Sequence, residues 1–123
     1  MAAGLWAATI QRGATWDPSL TVKDDAGNPL DLDTLYGTGH TFRLEFRPSQ
    51  DSDTVLLALT SGGGEITETV ASGVIKPEID AAASAGIRWK RAWMALTVTF
   101  GTGGSKSSGE VERIIEGEVR VSR

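Results

Sequence analysis

The stretch Gly13-Ala14-Thr15-Trp16-Asp17-Pro18-Ser19-Leu20-Thr21-Val22-Lys23-Asp24-Asp25-Ala26-Gly27-Asn28-Pro29-Leu30-Asp31-Leu32 decides the fold class. Trp16, Leu20 and Val22 share one parity, with Thr21 and Lys23 on the other, which is the period of a half-buried strand. Asp24-Asp25-Ala26-Gly27-Asn28-Pro29 then stops that strand. Short acidic side chains bond their own backbone, Gly27 tolerates positive φ, and Pro29 cannot donate to a ladder.

Outward from this segment the chain reads as strands and turns. Residues 6–11 form a first short strand and residues 15–23 a second. Residues 31–40 are irregular, with Gly37 and Gly39 breaking any helix. Residues 41–47 alternate, Phe42, Leu44 and Phe46 inward and Arg43, Glu45 and Arg47 outward, until Pro48 and a polar loop. Val55, Leu57 and Leu59 mark one face of the next strand. Residues 66–70 and 74–79 make a hairpin around Ala71-Ser72-Gly73. One helical turn covers residues 80–85, with Asp80 as N-cap and Gly86 as a left-handed C-cap. Met94, Leu96, Val98 and Phe100 alternate again, ahead of a Gly/Ser tip at residues 101–109. On the last strand Val111, Ile115, Val119 and Val121 point inward and Glu112, Glu116, Glu118 and Arg120 outward. Arg113 and Ile114 break that pattern, as a bulge or an edge position would.

About eight short strands at roughly ten-residue spacing predict an all-β, antiparallel, immunoglobulin-like sandwich with one short helical turn. An open barrel gives the same one-dimensional pattern. At 123 residues the chain is read as one domain with a short N-terminal arm, residues 1–8.

Composition narrows the function classes. There is no cysteine, so disulfides, thiolate catalysis and cysteine zinc sites are out. A net charge of −4 argues against a nucleic-acid surface, and Arg88, Lys90 and Arg91 form the single basic cluster. Residues 1–8 lack a positively charged leader and a sufficient apolar run, and no run approaches the ~20 apolar residues of a membrane span. Neither a signal peptide nor a transmembrane anchor is expected.

Sites of chemistry are sparse. His40 is the lone histidine, without the partners a metal or an acid–base pair requires, and reads as a solvated loop residue. The pairs Asp24-Asp25, Asp31-Asp33 and Asp51-Asp53 sit in turn contexts. Turn formation accounts for them, with weak Ca²⁺ binding as the other use of clustered oxygens. Ser61-Gly62-Gly63-Gly64 and Gly101-Thr102-Gly103-Gly104-Ser105-Lys106 lack phosphate-loop spacing and read as flexible tips. No catalytic, cofactor or metal residue emerges. Four tryptophans remain. Trp16 has core parity, whereas Trp89 stands between Arg88 and Lys90, and Trp with Arg is the composition of interface hot spots. Interface candidates are therefore Leu5 and Trp6 on the arm, packed on a neighbouring subunit, and Arg88, Trp89, Lys90 and Arg91, which with the 101–109 tip form a second contact.

Three segments in series resemble a family of small phage virion proteins associated with tails, baseplates and fibres. They are Ile10-Gln11-Arg12-Gly13-Ala14-Thr15-Trp16 running on through Asp24-Asp25-Ala26-Gly27-Asn28-Pro29-Leu30-Asp31-Leu32; Phe42-Arg43-Leu44-Glu45-Phe46-Arg47 with Val55-Leu56-Leu57-Ala58-Leu59-Thr60; and Ile114-Ile115-Glu116-Gly117-Glu118-Val119-Arg120-Val121-Ser122-Arg123. The family is similar in plan to the immunoglobulin-like N-terminal domain of upper baseplate proteins. Met94-Ala95-Leu96 stands where such proteins tend to carry Tyr-Asp-Leu. The resemblance implies a non-enzymatic connector or adaptor in the virion, assembled in the host cytoplasm. It implies contact with other virion proteins and several copies per particle, with no cofactor, nucleic acid or membrane. Two alternatives share the composition: a capsid decoration protein on the phage head, and a carbohydrate-binding module.

Overall fold

The structure, a computed structural model, describes residues 4–122. Mostly β (44% strand, 11% helix), the chain forms two sheets. Its elements are β1 (Gly4–Leu5), β2 (Ala8–Gln11), β3 (Leu20–Thr21), α1 (Leu32–Tyr36), β4 (Thr41–Arg47), β5 (Leu57–Thr60), β6 (Ile66–Thr69), β7 (Val74–Pro77), α2 (Ala81–Ala85), β8 (Arg91–Thr99) and β9 (Val111–Ser122). The larger, six-stranded sheet runs β1-β9-β8-β4-β5, with β2 also on β9; the smaller runs β3-β7-β6.

The expected purely antiparallel immunoglobulin sandwich is corrected here. The large sheet is curled into a half-barrel, and it is mixed because β1 and β2 lie parallel to β9. Both short strands keep one register, Gly4 opposite Ile115 and Ala8 opposite Val119, so they are a single edge strand interrupted at Trp6 and Ala7. Gly117 makes that interruption possible. A Cβ there would collide with the Trp6 carbonyl oxygen, so only glycine lets the N-terminal main chain cross β9 so closely.

The inward rows of β4 and β8 fill the core. Phe42, Leu44, Phe46, Met94, Leu96, Val98 and Phe100 are all buried, and strict antiparallel register sets Leu44 beside Leu96 and Phe46 beside Met94. Ile10 and Val119 extend this layer, and Ile66, Ile75 and Ile79 close it from the small sheet.

The second strand is shorter than its periodicity predicts. Only Leu20–Thr21 pairs regularly with β7, although a bridge between Trp16 and Ile79 keeps the same register. That register sets Pro18 opposite Pro77, and two residues without an N–H cannot exchange ladder bonds. Further on, the Asp24 carboxylate accepts from the main-chain N–H groups of Ala26 and Asn28, each at 2.9 Å, and Gly27 takes φ +86°, as the turn chemistry requires. The hairpin of β6 and β7 closes through a 3-10 turn, Val70–Ser72, with Gly73 left-handed.

Other expectations shift locally. The irregular 31–40 segment contains α1, capped by the Asp31 carboxylate accepting from Thr34 N–H at 3.1 Å. Asp80 caps α2 as expected, but Gly86 stays right-handed at φ −82°. Val55 precedes β5 and is 39% exposed instead of facing inward. The bulge on β9 is real: Leu96 pairs with Ile115 but Thr97 with Arg113, leaving Ile114 extra. One extra residue inverts parity, which turns Val111 out to 65% exposure instead of in.

Candidate functional site

At the β4 start and β8 end of the core, polar groups and glycines close the structure. His40 is buried, its side chain 2% exposed, in contrast to the expected solvated loop histidine. Its Nδ1 donates to the Gly37 carbonyl at 2.6 Å, and Nε2 meets Glu68 Oε1 at 2.8 Å. Asp33 Oδ1 stands 3.4 Å from Nδ1, and the ring packs edge-on against Phe42 and Tyr36. His40 thus ties the large sheet to β6 of the small one, and satisfaction of both ring nitrogens explains its burial. Tyr36 also packs edge-on against Phe42 and Phe100. Burial, with the Glu112 carboxylate adding to it, pushes the Tyr36 hydroxyl up to about 12.

The Gly/Ser tip belongs to this end as well. Thr38 and Thr102 exchange main-chain bonds at 2.9 Å each, Gly101 N–H donates to Tyr36 O, and Ser105 N–H to Leu35 O. Read as flexible, residues 101–105 are instead laid against the end of α1. A Cβ at Gly101 would strike the Thr38 carbonyl, and one at Gly37 would lie 2.6 Å from Gly101 C. The glycines at both positions serve close main-chain packing.

The outer face of the large sheet carries charges that pair among themselves. Glu45 accepts from Arg43 Nε at 2.7 Å and from an Arg47 guanidinium nitrogen at 2.6 Å. Those bonds, the one from Arg47 first, hold its carboxyl below the usual glutamate range. Glu118, between Arg91 and Arg120, is lowered in the same way. Arg113 and Gln50 both reach Glu116, at 3.3 and 3.0 Å. Among the described residues no group of three or more His, Cys, Asp or Glu is placed to hold a metal ion.

The opposite end is aromatic and less closed. Trp6 stacks on Trp16 at 5.8 Å, Trp16 meets Phe46 edge-on at 6.0 Å, and Trp89 lies tilted on Phe46 at 5.8 Å. Trp16 has its expected core place, but Trp6 and Trp89 are only half-buried. Beneath them the buried Ser84 hydroxyl donates to Ala14 O at 2.7 Å and accepts from Gly13 N–H, fastening α2 across this end.

Two open grooves flank the basic segment. One, about 370 Å³, is lined by Leu56, Leu57, Ile87, Arg88 and Trp89 together with α2. The other, about 310 Å³, is lined by Pro48, Ser49, Gln50, Arg91, Trp93 and Glu118. Between them Arg88, Lys90 and Arg91 are exposed, and Arg88 and Lys90 make no ion pair among the described residues. Trp93 is half-buried on the outer face, and its indole N–H is buried without a hydrogen-bond partner among the described residues.

The interface candidates are thus partly gathered and partly separated. Trp6, Arg88, Trp89, Lys90 and Arg91 collect at one end. Trp6 stacks within its own chain, where the sequence predicts a contact with a neighbour, and its main chain follows β9, with its N–H donating to Glu116 O at 2.8 Å. Leu5 contributes main-chain pairing with Glu116, while its role as an anchor, like residues 1–3 of the arm, lies outside the described residues. The 101–109 tip does not join this surface. It follows the far end of the nine-residue β8, about 27 Å from the basic segment at roughly 3.4 Å per residue. Trp93, Leu56 and Leu57 escape selection from the sequence, although Trp93 shares the outward parity of Arg91. No protein-family model matches the chain, and no curated protein matches its sequence.

Proposed function

We propose that this chain is a non-enzymatic structural protein of a phage virion, a connector in the tail, baseplate or fibre region, present in several copies and assembled in the host cytoplasm. The virion assignment rests on the three-segment resemblance. The observation that favours a contact role over catalysis is the division of the surface. Glu45, Glu118, His40 and Asp24 are engaged in structural bonds, whereas Arg88, Trp89 and Trp93 line open grooves. Paired tryptophan and arginine supply large contact area and bidentate bonding, the makings of a protein interface.

Disrupted phage particles separated into heads and tails, followed by mass-spectrometric assignment of the chain, test this reading. Recovery with tail components supports it. Recovery with heads replaces it with the capsid-decoration role, and absence from particles removes both.

A further inference from the structure

We propose that the recess between Tyr36 and Glu112 binds a small neutral alcohol, its hydroxyl held between these two side chains and its apolar body against the aliphatic seam where the sheets part. The inference does not depend on the connector reading.

The bulge on β9 builds this site. Without it, Glu112 would share the outward parity of Glu116 and Glu118. The extra Ile114 turns Glu112 inward, opposite Val98, and sets Ile114 and Ile115 side by side along the seam. The facing wall follows β3, where Leu30 N–H donates to Val22 O at 2.9 Å and so lies beside it. From α1 come Leu35 and Tyr36, and Ser105 fastens the 101–105 segment to Leu35 O. The recess measures about 200 Å³, with Val22, Leu30, Leu35 and Ile114 as its apolar walls. A second recess of about 160 Å³ shares Val22 and Ile114 and runs on to Leu20, Ile75 and Leu96, so the apolar space continues between the sheets.

The polar groups of the recess select the ligand. Tyr36 is only 5% exposed, and Glu112 is held to Lys106 through Oε2 at 3.1 Å. Neither the Tyr36 hydroxyl nor Glu112 Oε1 has a hydrogen-bond partner among the described residues. Buried polar groups are normally satisfied, so a donor and an acceptor left open on one apolar recess mark a place for a molecule that answers both. Burial first, and then the Glu112 carboxylate, keep the Tyr36 phenol protonated at neutral pH, where it is a donor. A hydroxyl accepts from Tyr36 and donates to Glu112 with one atom. A carboxylate has no proton to give Glu112 and is repelled by its charge. An apolar cavity of about 150 Å³ admits benzene, so a body of about six carbons fits here.

Titration of the full chain with 1-hexanol and with hexanoate, followed through assigned methyl and amide resonances, tests the proposal. The two probes share an apolar body and differ in the polar end. The expected result is a saturable shift of Val22, Leu30, Leu35 and Ile114 with 1-hexanol, and binding of hexanoate at least tenfold weaker. Tyr36→Phe keeps the ring and removes only the unpartnered hydroxyl, and circular dichroism establishes that it is folded. It should bind 1-hexanol at least fivefold more weakly than wild type. Four results overturn the proposal: no saturable shift at these residues, which leaves the recess to water; shifts confined to the Trp89 and Trp93 grooves; hexanoate binding as tightly as 1-hexanol; or undiminished binding of 1-hexanol to Tyr36→Phe.

Discussion

The two ends of this molecule are both lined with aromatic rings, yet they are finished differently. At the His40 end, Tyr36, Phe42 and Phe100 are buried and the His40 ring finds partners within the chain, and the one recess beside them, about 200 Å³ between Tyr36, Leu35, Lys106 and Glu112, is smaller than either groove at the other end. The 101–105 segment is laid main chain against main chain on the end of α1. At the Trp89 end, Trp6 and Trp89 are half-buried, grooves remain open, and two cations lack partners among the described residues. A closed end is what stability alone requires, since buried polar groups must be satisfied. An end that leaves aromatic rings and cations unmatched is the arrangement expected of a surface completed by another molecule.

The contrast is broken most forcefully by truncating one ring at each end. Phe42→Ala should cost about 3–5 kcal/mol, because the ring is buried and no solvent can fill the space it leaves. Trp89→Ala, already half in water, should cost less than half as much. Equal losses in urea denaturation would erase the distinction between a closed and an open end.

Next in size is Gly117→Ala. The added methyl meets the Trp6 carbonyl, so the N-terminal strand must move off β9, at the upper end of about 1–3 kcal/mol. Tryptophan fluorescence should shift to the red as Trp6 leaves Trp16. An unshifted spectrum with undiminished stability would show that Trp6 does not depend on that crossing. A smaller loss, about 1–2 kcal/mol, is expected for His40→Leu, which unties Gly37 and Glu68 while filling the space with an apolar side chain. A neutral outcome would mean that the sheets are held together at this end by packing alone.

The smallest effect concerns acid. Glu45 is held below its ordinary 4.5 in the folded chain, so its contribution is complete above that value and is lost as pH falls through the lower, folded one. Thermal melts of Glu45→Gln should therefore fall less steeply than those of wild type below about pH 4.5. Parallel slopes would show that the Arg43 and Arg47 bonds contribute nothing measurable, as is frequent for exposed pairs.

Local chemistry carried much of this architecture in the sequence. The alternation of Phe42, Leu44 and Phe46, the Asp24 turn, the Asp80 cap and the bulge announced by Arg113 and Ile114 all arise within a few residues. What remained hidden depends on distant partners. The parallel pairing of residues 4–11 with β9 joins the two ends of the chain, and no short-range pattern marks it. Pro18 interrupts its strand because the register puts Pro77 across from it. His40 is buried where its Nε2 meets Glu68, twenty-eight residues away. For the candidate surface, the composition of Arg88-Trp89-Lys90-Arg91 was legible, but Leu56, Leu57 and Trp93 join it through strand register alone.

Incorporation into particles tests the central claim, that the open end is the contact surface and the closed end is structural. On the proposed virion role, phage lacking the gene for this chain would be supplied with wild-type protein, the Arg88→Glu/Lys90→Glu variant or His40→Leu, and purified particles would be assayed for the chain at a temperature where all three are folded. The account predicts that the charge-reversed variant, with stability within about 0.5 kcal/mol of wild type, is lost from particles while His40→Leu is retained. Retention of the charge-reversed variant at the wild-type level, or loss of folded His40→Leu, would contradict it.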